Sequence, residues 1–63
     1  MADFRIDDFE GERVDPERLT DERLVEIRAK TETEIRVARG SVVWWEAQLD
    51  IIDEEIEARK AER

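Results

Sequence analysis

Sixty-three residues without a cysteine or a histidine make a chain too short to bury a large core and lacking the usual staples. A domain of this size buries only about 60% of its unfolded surface; disulfides are excluded, and a zinc site would have carboxylates alone as ligands. Nineteen acidic against eleven basic residues, a net charge of −8, argue against direct nucleic-acid binding, whose affinity rests on Lys and Arg at phosphates.

Oligomerisation or partner binding remains as the way to stabilise such a chain. No apolar run approaches the roughly 20 residues of a membrane span, and no basic, apolar, small-residue signal pattern opens the sequence. With cysteine absent, the expectation is a soluble cytoplasmic protein. The charge is uneven: residues 1–20 hold seven acids and three bases, residues 21–40 five of each, and residues 41–63 seven acids and three bases. Both ends are acidic, and a basic partner surface is their complement; the same charge also keeps an exposed helix soluble.

Residues 1–14 form an N-terminal arm in which Phe4 and Ile6 alternate with charged residues at period two. That predicts an extended segment, but a lone strand has nothing to pair with and Gly11 interrupts any continuation. The arm is either disordered or a peptide that docks its aromatics elsewhere. Residues 15–63 read as the helical part. Asp15-Pro16-Glu17 is a helix start, with a capping carboxylate, a proline suited to the first position and an acid at the positive end of the dipole. Thr20-Asp21-Glu22 offers a second start, which predicts a short turn at 16–19 and a long helix from about 21.

Ile35, Ala38, Val42, Trp45, Leu49, Ile52 and Ile56 then recur at alternating steps of three and four, an a/d heptad seam that extends back through Thr31 and Arg28 to Leu24. No proline interrupts residues 21–62, and Gly40 falls at the outward f position, so one helix of about 40 residues is favoured. The alternative is a helical hairpin in which Gly40 ends one helix and Ser41 caps the next. A Gly40→Ala change would separate the two if the turn needed a positive φ. The expected fold is thus all-α: one long heptad-bearing helix, or a hairpin, forming a coiled coil or small bundle, with an extended arm. Leu24, Ile35, Ala38, Val42, Trp45, Leu49, Ile52 and Ile56 are its self-association seam. Parallel pairing would bring Glu34 to Arg39 and Glu55 to Lys60 of a second copy. Arg28 and Thr31 would fix register or open the N-terminal end of the seam.

Val37, Trp44 and Ile51 recur every seven residues on a second stripe, with Trp44 and Trp45 expected on nearly opposite sides. Exposed apolar surface of this kind marks an interaction site, and Trp is enriched at binding hot spots. Three outcomes are open: Phe4, Ile6 and Phe9 of the same or a neighbouring chain fold back over the stripe, an external protein binds it, or it is simply exposed. The expected partner-binding set is Val37, Trp44, Ile51, Asp50, Asp53, Glu57, Phe4 and Phe9. Glu46, Asp50, Asp53 and Glu57 form a carboxylate ribbon, but a helix surface cannot wrap six oxygens round one ion. Without histidine, cysteine or tyrosine, nucleophile-and-base chemistry has no players; no enzyme is expected.

Val14-Asp15-Pro16-Glu17, Leu19-Thr20, Leu24-Val25-Glu26-Ile27-Arg28-Ala29 and Leu49-Asp50-Ile51-Ile52 with Glu54-Glu55 resemble the core helix of the RsiG-type anti-sigma factors of actinobacteria. The resemblance covers residues 14–59 and implies a helical coiled coil that sequesters a sigma factor when cyclic-di-GMP is bound. The family's nucleotide pattern is Glu, Ser, Arg, Gln and Asp at steps of four, three, four and four. Here it meets Ile35, Arg39, Val42, Glu46 and Asp50, or Val37, Ser41, Trp44, Gln48 and Ile52, so cyclic-di-GMP is not expected and no cofactor is assigned. The function expected is a small acidic regulator that associates with itself and occludes a basic or apolar surface on a larger protein, a sigma factor first among candidates. A structural assembly oligomer, such as a phage or scaffold component, and a nucleic-acid mimic are the alternatives.

Overall fold

The period-two alternation of the arm ends in a strand, and the strand finds its partner within the arm itself. The computed structural model describes residues 4–40 and 42–62. In it β1 (Ile6–Asp7) pairs antiparallel with β2 (Arg13–Val14), Ile6 opposite Val14 and Asp7 opposite Arg13. The arm is therefore a tight hairpin, not a lone extended segment. Asp8 builds its loop: the Asp8 N–H donates to the Glu12 carbonyl at 3.1 Å, while Asp8 Oδ1 accepts from the N–H groups of Glu10 at 2.8 Å and Glu12 at 3.2 Å. Phe9 at φ 65 and Gly11 at φ 92 reverse the chain. Glycine adopts that region freely, whereas Phe9 is held there against its steric preference. Two residues per strand cannot stand alone in water, so this hairpin depends on what it packs against.

Both helix starts are used as the sequence predicts. Asp15 caps a 3-10 turn at Pro16–Arg18, its Oδ1 accepting from the Glu17 N–H at 3.0 Å. Thr20 caps α1 (Asp21–Val37), its Oγ1 accepting from the Arg23 N–H at 3.1 Å. Each side chain satisfies an amide that the first helical turn leaves without a partner.

The favoured continuous helix does not form. After the Ala38 N–H donates to the Glu34 carbonyl at 3.0 Å, Ala38 turns extended at φ −66, ψ 135, and α2 (Val43–Ala61) begins past Val42 at φ −106, ψ 7 with no side-chain cap. Ser41, the cap considered for this helix, lies outside the described residues. Physically, Gly40 and the β-branched pair Val42-Val43 are the poorest helix formers near the middle of the run. Reversal there lets the apolar positions of the two halves bury each other in one chain. Gly40 is not at positive φ, and a Cβ on it would meet nothing within 4 Å.

The core holds Ile6, Leu24, Ile27 and Ile52, each at most 1% exposed, with Phe9, Val14, Leu19, Ile51 and Ile56 packed round them. Thr31 and Gln48 are buried beside them and fully bonded. The helices run antiparallel, with Arg28 reaching Asp53 and Thr31 reaching Gln48 across the pair. Arg28 and Thr31, the polar breaks in the seam, thus link the two halves of one chain. The β-hairpin lies along one side of this helix pair.

Candidate functional site

Three polar clamps position the N-terminal third against the helices, and a groove opens between them. The first is Gln48, the one side-chain amide in the sequence. Its Oε1 accepts from the Asp7 N–H at 2.8 Å, while its Nε2 donates to the Asp7 carbonyl at 3.2 Å and to Thr31 Oγ1 at 3.0 Å. The Thr31 hydroxyl donates on to the Ile27 carbonyl at 2.8 Å. The amide thus bonds the free edge of β1 as a neighbouring strand would, and no buried side-chain polar atom among the described residues lacks a partner.

The second clamp is Arg59, near the end of α2. Its guanidinium donates to the carbonyls of Pro16 at 3.0 Å and Leu19 at 2.7 Å, to Asp21 Oδ1 at 2.7 Å and to Glu55 at 2.9 Å. These carboxylates hold its pKa above the ordinary value, Asp21 first and Glu55 next, so the clamp is permanently charged. The third is Arg23, which donates to the Asp8 carbonyl at 3.1 Å and pairs with Glu10 at 3.0 Å and Glu26 at 2.7 Å. Asp8 is held below the usual carboxylate range, chiefly by the Glu10 N–H, with Glu12 and Arg23 adding to it against the opposing effect of burial.

Between the clamped arm and α2 lies a groove of about 330 Å³. Phe4, Pro16, Ile51 and Ala58 supply its apolar lining, and Asp15, Glu17, Glu54 and Glu55 its polar one; among the described residues no Lys or Arg lines it. Glu55 is engaged by Arg59 and Asp15 by its capping bond, which leaves Glu17 and Glu54 exposed at the rim. Next to it Asp50, Asp53, Glu54 and Glu57 edge a shallower, wider depression with Ala58.

The residues named from the sequence are distributed as follows. Leu24 and Ile52 are buried within the chain; Ile35, Val42, Trp45, Leu49 and Ile56 are half-buried, and Ala38 and Val42 sit in the connection between the helices. Phe4, Val37 and Trp44 are exposed, whereas Ile51 packs on the core. Phe9 stacks on Trp45 with ring centroids 5.3 Å apart, Trp44 meets Trp45 edge-on at 4.6 Å, and Arg13 lies 5.7 Å over Trp44. Trp44 and Trp45 therefore touch, because consecutive helical residues diverge by only about 100°. Glu55 pairs with Arg59 of its own helix, and Asp53 with Arg28. Pro16, Glu17, Glu54 and Glu55 at the groove were not anticipated as a site. Glu17 served only as a helix-start acid, and nothing local connects it with residues nearly forty positions later. Gln48 had a legible signal, being a lone amide flanking the seam.

Among the described residues no cluster of three or more acids is placed to hold a metal ion, and no helix is long and apolar enough to cross a membrane. No family model, curated protein or solved structure matches the chain.

Proposed function

We propose that this chain is a small acidic protein-binding regulator that occludes a basic, amphipathic segment of a larger protein. The supporting observation is the groove lined by Phe4, Pro16, Ile51 and Ala58, bordered by carboxylates and, among the described residues, by no cation. Apolar contacts there supply affinity, and the net charge of −8 speeds encounter with a basic partner. A transcription component of the sigma-factor kind is the first partner to try, on the strength of the sequence resemblance.

Calorimetric titration with a synthetic amphipathic peptide bearing Leu and Lys at helical spacing tests the reading, alongside a Lys→Glu version of the peptide. Binding of the basic peptide alone is expected, weakened about tenfold or more by Glu17→Lys with Glu54→Lys and untouched by Glu22→Lys on α1. Equal binding of the acidic peptide, or indifference to the groove variants, would reject it. A purified sigma factor, titrated in the same way, then tests the named partner.

A further inference from the structure

We infer that the tip of the helix pair, where α1 turns into α2, docks in the acidic groove of a second copy and joins copies head to tail. The inference rests on the groove reading above and names a ligand for it. Residues 35–45 contain two arginines and no Asp or Glu, on a chain that holds nineteen acids. Both arginines are exposed, Arg36 in the last turn of α1 and Arg39 in the connection, and neither makes an ion pair among the described residues. The other basic residues of the helices, Arg23, Arg28, Lys30, Arg59 and Lys60, each pair with a carboxylate of their own chain. Exposed apolar side chains stand beside the two arginines: Val37 is 61%, Val43 71% and Trp44 46% exposed. From the β-hairpin, Arg13 lies over Trp44 and Phe9 stacks on Trp45, while Glu10 beside Phe9 is held by Arg23. Glu34 and Glu46 are the flanking carboxylates, one on each helix.

Two observations select the groove of another copy as the place for this tip. The first is complementarity. The groove offers Phe4, Pro16, Ile51 and Ala58 with Glu17 and Glu54 exposed at its rim, and the tip offers exposed guanidiniums beside exposed apolar side chains. Opposite charges steer the encounter and the apolar groups hold it. The second is reach. Ile51 and Ala58 lie on the same continuous helix as Val43, eight and fifteen positions along it. At 1.5 Å per residue these are separations of about 12 and 22 Å. A rigid helix cannot fold its own tip back into its own groove, so tip and groove meet only between copies. The two surfaces differ, and a joined pair still presents one free tip and one free groove, so growth does not stop at two. A basic partner seated in the groove displaces the tip, which makes self-capture and partner capture mutually exclusive.

Sedimentation equilibrium of the full chain over about 5–500 μM, concentrations suited to a weak contact, tests the inference. The expected result is a mass rising from 7.5 kDa past twice that value. Arg36→Glu with Arg39→Glu, and separately Glu17→Lys with Glu54→Lys, should each weaken association about tenfold or more, while Glu22→Lys leaves it unchanged. All these side chains are exposed, and far-UV circular dichroism checks that the variants fold. An equimolar mixture of the tip variant and the groove variant should associate again, because native tip meets native groove and reversed tip meets reversed groove. A mass of 7.5 kDa at every concentration, association indifferent to either pair of changes, or a mixture that stays at 7.5 kDa overturns the inference. Calorimetry with the basic peptide keeps the two readings apart: peptide capture without self-association sinks the tip alone, and no peptide capture sinks the groove.

Discussion

Gln48 holds a disproportionate share of this small fold. It is 3% exposed and makes three hydrogen bonds, two of them to the backbone of a residue 41 positions away. Gln48→Leu keeps the bulk but strands the N–H and the carbonyl of Asp7, while the Thr31 hydroxyl keeps its bond to the Ile27 carbonyl. Unfolding in urea should show a loss of about 2–3 kcal/mol. Asp8 works by charge. Its folded pKa lies below the ordinary 3.8, so the stability it contributes is fully present above 3.8 and is lost as pH falls through the lower folded value. Protection of the Glu10 and Glu12 amides, measured against their intrinsic exchange at each pH, should fall on acidification across that window. Asp8→Asn, which keeps an acceptor but no titrating group, should flatten the dependence. Phe9, at φ 65, is retained by its stack on Trp45. The strained backbone and the ring contact support each other.

At the scale of elements, the local chemistry of the helix starts was legible and the reversal was not. Asp15 and Thr20 act within three residues of themselves, which is why their caps follow from the sequence. Of the positions read as a self-association seam, Leu24, Thr31 and Ile52 are buried within the single chain, while Ile27 and Gln48, equally inward, lie off that register. That register runs unbroken through Ala38 and Val42, although both lie in the connection between the helices. An antiparallel pair can point both halves of one seam inward, so continuity of pattern carries no information about continuity of helix. The β-hairpin was missed for a related reason: two-residue strands have almost no period, and the groups that hold them, Gln48 and Trp44 among them, lie some thirty to forty positions away. Gly40→Ala, placed in open space without a positive φ, should leave stability unchanged or raise it by up to about 1 kcal/mol through the unfolded state. Its sign therefore does not separate hairpin from continuous helix. Arg59→Lys is the more telling change, because an ammonium cannot reach two carbonyls and two carboxylates together. It should lower stability by about 1–2 kcal/mol and loosen Pro16–Leu19, seen as faster amide exchange there.

At the scale of the whole molecule, the groove side and the outer surface of α2 are acidic, and Asp53 joins that acidic surface to its pair with Arg28. Salt should therefore weaken capture of a basic peptide, read as a fall in affinity when the calorimetric titration is repeated at rising ionic strength.

The Asp7–Gln48 contact also makes the arm dependent on the helices. It spans 41 positions, and strands of two residues do not hold in water without such a support. The arm is therefore expected to lift as a unit at a lower free energy than global unfolding, with the helices still paired. Each lift uncovers Ile27 and Ile52 where Ile6 had covered them. The Asp7 amide is then a reporter, exchanging at the rate of this partial opening and faster than amides in the middle of α2.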